Sequence, residues 1–340
     1  MSDSESPIRV AVLMGGPSSE HEISTRSGQQ VVSGLDESFE VIAVVIGKDG
    51  LWKIADDQPR KLGEALDELK ERADVAFIAL HGPFGEDGTV QGALDSAGIP
   101  YTGSGVLGSA LAMDKVRAKK IYEANDLPIS PSVTITPRTW SDHKSVLLSQ
   151  ISEAIGYPCV LKPAASGSSY GVSFPDSEET LVTEISGLLH SDVPLMLVEK
   201  RVIGAEFSCG VLDIDGRTQA LPVIEIIPDP EKYEYFDLQA KYTPGATQEI
   251  TPARIDAELT EALQELAVKA HSALGCRDFS RTDFLVSEDR QPILLETNTI
   301  PGLTAESLLP KSAKAAGYSF SELVGLLVRN AIQRGVTKYY

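Results

Sequence analysis

The chain has little cysteine: three residues in 340, Cys159, Cys209 and Cys276, odd in number and far apart. That excludes a disulfide framework or a cysteine-built metal knuckle and predicts small buried apolar groups in a reducing compartment. Basic residues are also short, with 30 Lys and Arg against 49 Asp and Glu and a formal charge of −19. Nucleic acid is excluded as a partner, because a phosphate backbone needs a basic face. A nucleotide is not, since a few lysines and backbone amides converging locally suffice; net charge speaks mainly to solubility. Long apolar runs are missing too. The longest, such as Val41 to Ile46 and Val75 to Leu80, are far too short to cross a bilayer, so no membrane partner is expected. The opening Met1-Ser2-Asp3-Ser4-Glu5 lacks the basic start and apolar stretch of a signal peptide. The expectation is a cytoplasmic protein without internal repeats.

What is present is an ordinary globular composition, 42% apolar and 23% charged, long enough for two or three domains. Ile8 to Met14, Val41 to Ile46 and Val75 to Leu80 are nearly continuous β-branched runs, as strands covered on both faces would be. Helical patterns at Glu22 to Leu35 and Gly63 to Arg72 alternate with them, which predicts a parallel sheet wrapped by helices. From about Ser104 the pattern changes. Helices are expected at Asp114 to Asn125, Asp142 to Ile155, Asp256 to Leu274 and Ser321 to Arg334. Strands are expected at Cys159 to Lys162, Val172 to Phe174, Leu195 to Lys200, Glu206 to Leu212, Thr218 to Ile227, Asp278 to Val286 and Pro292 to Asn298. Phe236 to Pro252 is polar, contains Gly and Pro, and reads as a lid, because long irregular loops are often functional.

Three constellations carry chemistry. Alternate residues of a strand share a face, so Glu296 and Asn298 point the same way. A hairpin return through Ser287 to Arg290 brings Asp283 beside Glu296. Two carboxylates and an amide oxygen are a hard-oxygen set suited to Mg²⁺, against the plainer reading of a polar sheet face. Second, Gly167-Ser168-Ser169-Tyr170-Gly171 is a loop whose amides can converge on an anion, or else a simple hairpin turn. Lys162, ending a buried strand beside it, can reach a phosphate as a point charge. Lys115 reads alone as a solvated helical lysine, and Glu199-Lys200 with Glu206 as a salt-bridge cluster or as a carboxylate for ribose hydroxyls. Third, Gly15-Gly16-Pro17-Ser18-Ser19-Glu20 joins a strand to a helix, with Ser18 or Ser19 as a cap or Glu20 as an amine binder. The stretch from His81 to Gly88 is richer in glycine and polar groups than a connector requires.

These pieces, in this order and over nearly the whole chain, resemble the ATP-grasp superfamily and, within it, the D-alanine–D-alanine ligases. The resemblance rests on Gly15-Gly16-x-Ser18-x-Glu20, His81-Gly82 through Glu86-Asp87-Gly88-Thr89, Met113-Asp114-Lys115, Lys162-Pro163 with Gly167-Ser168-Ser169, Lys241-Tyr242, Arg281-x-Asp283, and Glu296-x-Asn298-x-x-Pro301-Gly302-x-Thr304. It implies an α/β fold of three-domain ATP-grasp architecture: a parallel-sheet, Rossmann-like N-terminal domain (1–103) followed by two α+β subdomains (104–198 and 199–340). It implies an ATP site lined by Lys115, Lys162, Gly167, Ser168, Ser169, Glu199, Lys200, Val202, Glu206 and Lys241. Two Mg²⁺ or Mn²⁺ ions would be held by Asp283, Glu296 and Asn298, and D-alanine by Glu20, Ile23, His81, Arg281, Gly302, Ser307 and Leu308. Glu20, Ser168 and Tyr242 match a hydrogen-bonded trio of the family, and Arg281 with Gly302 an oxyanion site. The expected reaction joins two D-alanines through an acyl phosphate for peptidoglycan precursors, in a homodimer. A depsipeptide ligase and a non-catalytic nucleotide or sugar binder are the rivals; a dinucleotide oxidoreductase lacks its Gly-x-Gly-x-x-Gly.

Overall fold

The computed structural model describes residues 6–165, 171–228 and 247–336. The apolar runs of the first third become β1 (Ile8–Gly15), β2 (Phe39–Ile46) and β4 (Val75–Ile78), with a short β3 (Trp52–Ile54) between the last two in sequence. The sheet runs β3-β2-β1-β4, with β1 parallel to both neighbours and β3 antiparallel at the edge. Helices α1 (His21–Gly34) and α2 (Leu62–Arg72) connect the strands, and α3 (Thr89–Ala97) follows β4. Val10, Val12, Leu13, Val75 and Phe77 are fully buried, as the unbroken hydrophobicity of these strands requires.

The middle of the chain supplies α4 (Val106–Met113), α5 (Lys115–Ala124), β5 (Ser132–Ile135), α6 (Pro137–Ala154), β6 (Cys159–Pro163), α7 (Glu178–His190) and β7 (Met196–Lys200). Its antiparallel sheet has the order β5-β7-β6. The last third forms β8 (Gly204–Ile214), β9 (Arg217–Ala220), β10 (Ile224–Pro228), β11 (Thr247–Ile250), α8 (Ala257–Ala273), β12 (Phe279–Ser287), β13 (Pro292–Asn298), α9 (Leu308–Ala315) and α10 (Phe320–Arg334). Here the order is β11-β10-β8-β12-β13, with β9 beside β8.

Cores join segments distant in sequence. Leu323, Val324, Leu327, Val328 and Ala331 of α10, with Phe279 of β12, belong to the cluster around the first sheet. Each large side chain among them is worth about 1.5–3 kcal/mol relative to exposure. Ala112 of α4 and Ala118 and Tyr122 of α5 pack instead with Phe207, Phe284 and α8. A polar clasp reinforces the first seam. The Asp278 carboxylate accepts from the Gly103 amide (2.7 Å) and pairs with Arg334, which also donates to the Tyr101 carbonyl (2.6 Å).

Several sequence expectations need correction. The run Thr218 to Ile227 is two strands, both antiparallel to β8, because Pro222 removes a ladder donor and interrupts the pairing between them. Val172 to Phe174 is no strand; only Ser173 bridges to Leu161. The helix expected from Asp142 begins at Pro137, with Thr136 as its cap, and His143 is a non-helical kink within it. Residues 247–250 of the expected lid are β11, paired antiparallel with β10, while 229–246 lie outside the described residues. Short elements such as β3, β5, α3, α4 and α9 had no expectation at all.

Candidate functional site

One wall is the β12–β13 hairpin. Asp283 pairs in register with Glu296 and Arg281 with Asn298, the arrangement expected from strand spacing. Between Asp283 and Phe284 the register shifts, since Phe284 faces Leu294, so Leu295 is an extra residue. The shift resets the alternation, and Ile293, Leu295 and Glu296 all line one cleft. Asp283 is well satisfied. Its Oδ1 accepts from Ser208 Oγ (2.6 Å) and Arg281 Nε (2.8 Å), and its Oδ2 from Arg281 Nη2 (2.6 Å) and Asn298 Nδ2 (3.2 Å). The paired guanidinium contacts fix the plane of Arg281.

The opposite wall is the end of β6 and β7. Lys162 Nζ meets Glu199 Oε2 at 2.8 Å, and Lys119 Nζ meets Glu199 Oε1 at 3.0 Å. Burial works to raise the Glu199 carboxyl, but the two lysines outweigh it and hold its pKa below the ordinary value. Helix α5 spans the walls. Its cap Asp114 accepts from the Val116 and Arg117 amides, and the Lys115 amide donates to the Ala164 carbonyl (2.9 Å) after β6. Lys115 and Lys119 lie one turn apart on one helical face. Lys115 Nζ crosses to Glu296 (3.1 Å), while Lys119 stays with Glu199. The cleft between has a volume of about 570 Å³ and includes Lys115, Lys162, Glu199, Lys200, Val202, Glu206, Asp283 and Glu296. Val160, Phe174, Ile226, Ile227, Leu285 and Leu295 give it apolar surface. That mixture of apolar wall and few charges is the usual make-up of a small-molecule site.

The loops after β1 and β4 face the same region. Gly15 and Gly16 hold φ of 88° and 93°, and a Cβ on Gly15 would sit 2.5 Å from the Ile46 carbonyl, so only glycine serves there. Ser18 is no helix cap; its hydroxyl donates to the His81 carbonyl (2.8 Å) and accepts from the Glu20 amide (3.2 Å). Glu20 occupies the cap position of α1 without a side-chain capping bond. Its carboxylate lies against Gly82, where a Cβ would come within 2.6 Å of Oε2. The His81 ring is bonded to the Ile300 carbonyl through Nδ1 (3.2 Å) and to Ser27 Oγ through Nε2 (2.8 Å). A carbonyl only accepts, so Nδ1 carries the proton. Burial, helped by the charge of Arg281 and opposed by the bond to Ile300, pushes the His81 pKa down to about 4. The Glu86 carboxyl accepts from the Gly82 amide (2.8 Å), and burial together with the charges of Glu20 and Glu296 pushes it up to about 8, against the pull of Arg281. Glu20, His81, Glu86, Glu296 and Arg281 thus share one electrostatic neighbourhood.

Two models of known families match the chain: the D-ala D-ala ligase N-terminus over residues 9–104 and the D-ala D-ala ligase C-terminus over residues 121–329. The chain belongs to the D-alanine–D-alanine ligase family. The ligase of Syntrophobacter fumaroxidans is 44% identical over 326 residues, 96% of this chain and 98% of its own. That of Leptospira interrogans serovar copenhageni is 38% identical over 354 residues, 96% of this chain and 99% of its own. Among solved structures, the VanG D-Ala:D-Ser ligase of Enterococcus faecalis has a TM-score of 0.83 at 31% identity, covering 96% of this chain and 99% of that one. The Bacillus anthracis D-alanine–D-alanine ligase complexed with ATP has a TM-score of 0.78 at 30% identity, covering 96% and 98%. The three-domain ATP-grasp architecture expected from the sequence is that of these ligases.

Not every expected ligase residue falls in the cleft. Ile23 is half-buried near the start of α1. Ser307 closes the Thr304 turn, its hydroxyl 2.8 Å from Thr304 Oγ1, and a Cβ on Gly302 would meet it at 2.6 Å. Leu308 is buried against Ile224 and Ile226, the latter a lining residue. Gly167, Ser168, Ser169, Lys241 and Tyr242 lie outside the described residues. Sequence reasoning missed Lys119, Ser208 and Glu86 as site residues. The only signal for Lys119 was its helical spacing of four from Lys115, and for Ser208 its alternation with Glu206 on β8.

Proposed function

We propose that the chain joins two D-alanines to D-alanyl-D-alanine at the expense of ATP, through a D-alanyl phosphate, for peptidoglycan precursors. The observation that carries the reading is a cleft in which the Lys162–Glu199 wall faces the Asp283–Glu296 wall, with Arg281 on Asp283 and near enough to His81 and Glu86 to act on both electrostatically. ATP lies between the walls, its base beside Lys200 and Val202, its ribose toward Glu199 or Glu206 and its phosphates toward Lys115 and Lys162. Asp283, Glu296 and Asn298 fit a hard cation, since the hairpin brings together two carboxylates and one amide, which are hard oxygen donors. The partners of those carboxylates include two cations of the protein, Arg281 on Asp283 and Lys115 on Glu296, which supports the reading. Magnesium bound there would offset the charge of the phosphates.

Glu20 holds the ammonium of the first D-alanine, and the carboxylate of that D-alanine attacks the γ-phosphoryl group of ATP, giving the acyl phosphate and releasing ADP. Lys162 lessens the repulsion between the two anions. The amine of the second D-alanine then attacks the acyl phosphate, and phosphate leaves. Arg281 and the Gly302 amide steady the tetrahedral oxyanion, worth about 3–4 kcal/mol for each donor in other acyl transfers. The resemblance assigns Glu20, Ser168 and Tyr242 to a hydrogen-bonded trio, of which Ser168 and Tyr242 lie outside the described residues. A homodimer in the cytoplasm is the assembly we propose on family resemblance. The test supplies pure protein with ATP, Mg²⁺ and D-alanine, with D-serine and D-lactate as competing acceptors, and reads product mass. D-Ala-D-Ala as the main product with one phosphate released per dipeptide is expected; D-Ala-D-Lac or D-Ala-D-Ser as the main product sinks the dipeptide reading.

A further inference from the structure

Lys119 is only 5% exposed, does not line the cleft, and yet touches what does. Its ammonium lies 3.0 Å from Glu199 Oε1 and donates to the Ser130 carbonyl at 3.0 Å. Ser130 Oγ in turn donates to the Lys200 carbonyl (2.7 Å), and the Lys200 amide donates to the Pro131 carbonyl (3.0 Å). Ser130, Glu199 and Lys200 all line the cleft. One buried charge therefore braces a carboxylate and the backbone at the turn out of β7. We propose that Lys119 is a positioning residue for the nucleotide, holding Glu199 and the Lys200 backbone from behind the wall.

The charge arithmetic says why a lysine is needed. Glu199 and Lys162 alone sum to zero, and Lys162 is then drawn onto its partner. With Lys119 on the other carboxylate oxygen the trio carries one net positive charge, so Lys162 keeps attraction to spare for a polyanion. A lysine this buried is ordinarily unfavourable, and burial does lower its pKa against the pull of Glu199. Its position on α5, one turn past Lys115, means that the other wall keeps its own cation when Lys119 is removed.

The inference rests on the reading of the cleft as an ATP site. The experiment compares wild type with Lys119→Met and Lys119→Arg, measuring kcat, KM for ATP, KM for D-alanine and thermal midpoint. Lys119→Met raises KM for ATP about tenfold or more, as loss of a brace behind a binding group does, and leaves KM for D-alanine within about twofold. Lys119→Arg keeps the charge and restores most of the ATP affinity. Should Lys119→Met not fold, Lys119→Gln, which keeps a donor for Ser130 but no charge, carries the same comparison. An unchanged KM for ATP overturns the proposal. So does an equal rise in both KM values that Lys119→Arg does not relieve, since that is what a merely structural lysine gives. Wild type whose turnover does not depend on ATP overturns the underlying reading instead, a result distinct from either.

Discussion

The two walls of the cleft use the same chemistry to different ends. Around Glu199 the side chains are nearly sealed, with Lys119 6%, Lys162 9% and Glu199 5% exposed. The pair of Lys115 and Glu296 is more open, at 13% and 27%. A sealed ion set has lost its water and depends on every member being present, because a charge left behind is costly. The more open pair keeps solvent as an alternative partner and can exchange it for a ligand. The Glu199 set is thus a fixed electropositive rest, and Lys115–Glu296 an ion pair whose partner is exchangeable, while Asp283 and Arg281 beside it stay sealed at 8% and 12%. The lesson is that a lysine–glutamate contact has no set value; its surroundings decide whether it serves as structure or as a receptor.

The sharpest break of the comparison is Glu199→Gln. It strands two buried ammonium groups, and urea unfolding should show a loss of about 3–5 kcal/mol. Glu296→Gln should do the reverse, cutting D-alanine-dependent phosphate release about 10²–10³-fold, the scale of losing one preorganised electrostatic contact, while stability barely moves. An equal loss of stability without any change in metal response would return Glu296 to the role of a strand-face residue. A smaller effect, on the order of a few kcal/mol, concerns Glu86 between the walls and the amino-terminal loops. Its folded pKa of about 8 stands above the ordinary 4.5, so the folded state binds more protons and stability falls as pH rises through that window. His81 acts oppositely, losing stability as pH falls from 6.5 toward about 4, so pH 6.5 to 8 isolates Glu86. Glu86→Gln should flatten the stability profile there; an unchanged slope would place the titration elsewhere. Smallest is Lys115→Met, expected to cost about 1 kcal/mol or less in unfolding, and a loss matching that of Glu199→Gln would erase the distinction between the walls.

How legible was this in the chain? Where one physical demand dominates, plainly so: the buried strands of the first sheet, the alternation of β12 and β13, and the meeting of Asp283 with Glu296 all follow from periodicity. The register shift that turns Leu295 into the cleft did not, because nothing in Leu294-Leu295-Glu296 marks which leucine is the extra one. Helix α4, Val-Leu-Gly-Ser-Ala-Leu-Ala-Met, lacks an amphipathic signal because its exposed face is itself apolar, with Val106 and Leu107 36% and 71% exposed. Lys119 was invisible for the opposite reason. A lysine on a helix face is solvated by default, and only β7, far away in sequence, brings the carboxylate that buries it. Glu86 likewise sits in a polar loop, and its shifted pKa arises first from burial and then from Glu20 and Glu296, none of which a local window contains.

Helix α10 has a consequence for how the protein is made. The first sheet is synthesised early, but its hydrophobic cover includes Leu323, Val324, Leu327, Val328 and Ala331 from almost the last turn of the described chain. A ribosome therefore releases the opening strands long before their lining arrives, at roughly 5–20 residues per second. Until residue 331 has cleared the exit tunnel, one face of that sheet waits uncovered. The timetable of translation, and any chaperone that meets the nascent chain, must bridge an interval that the finished molecule no longer shows.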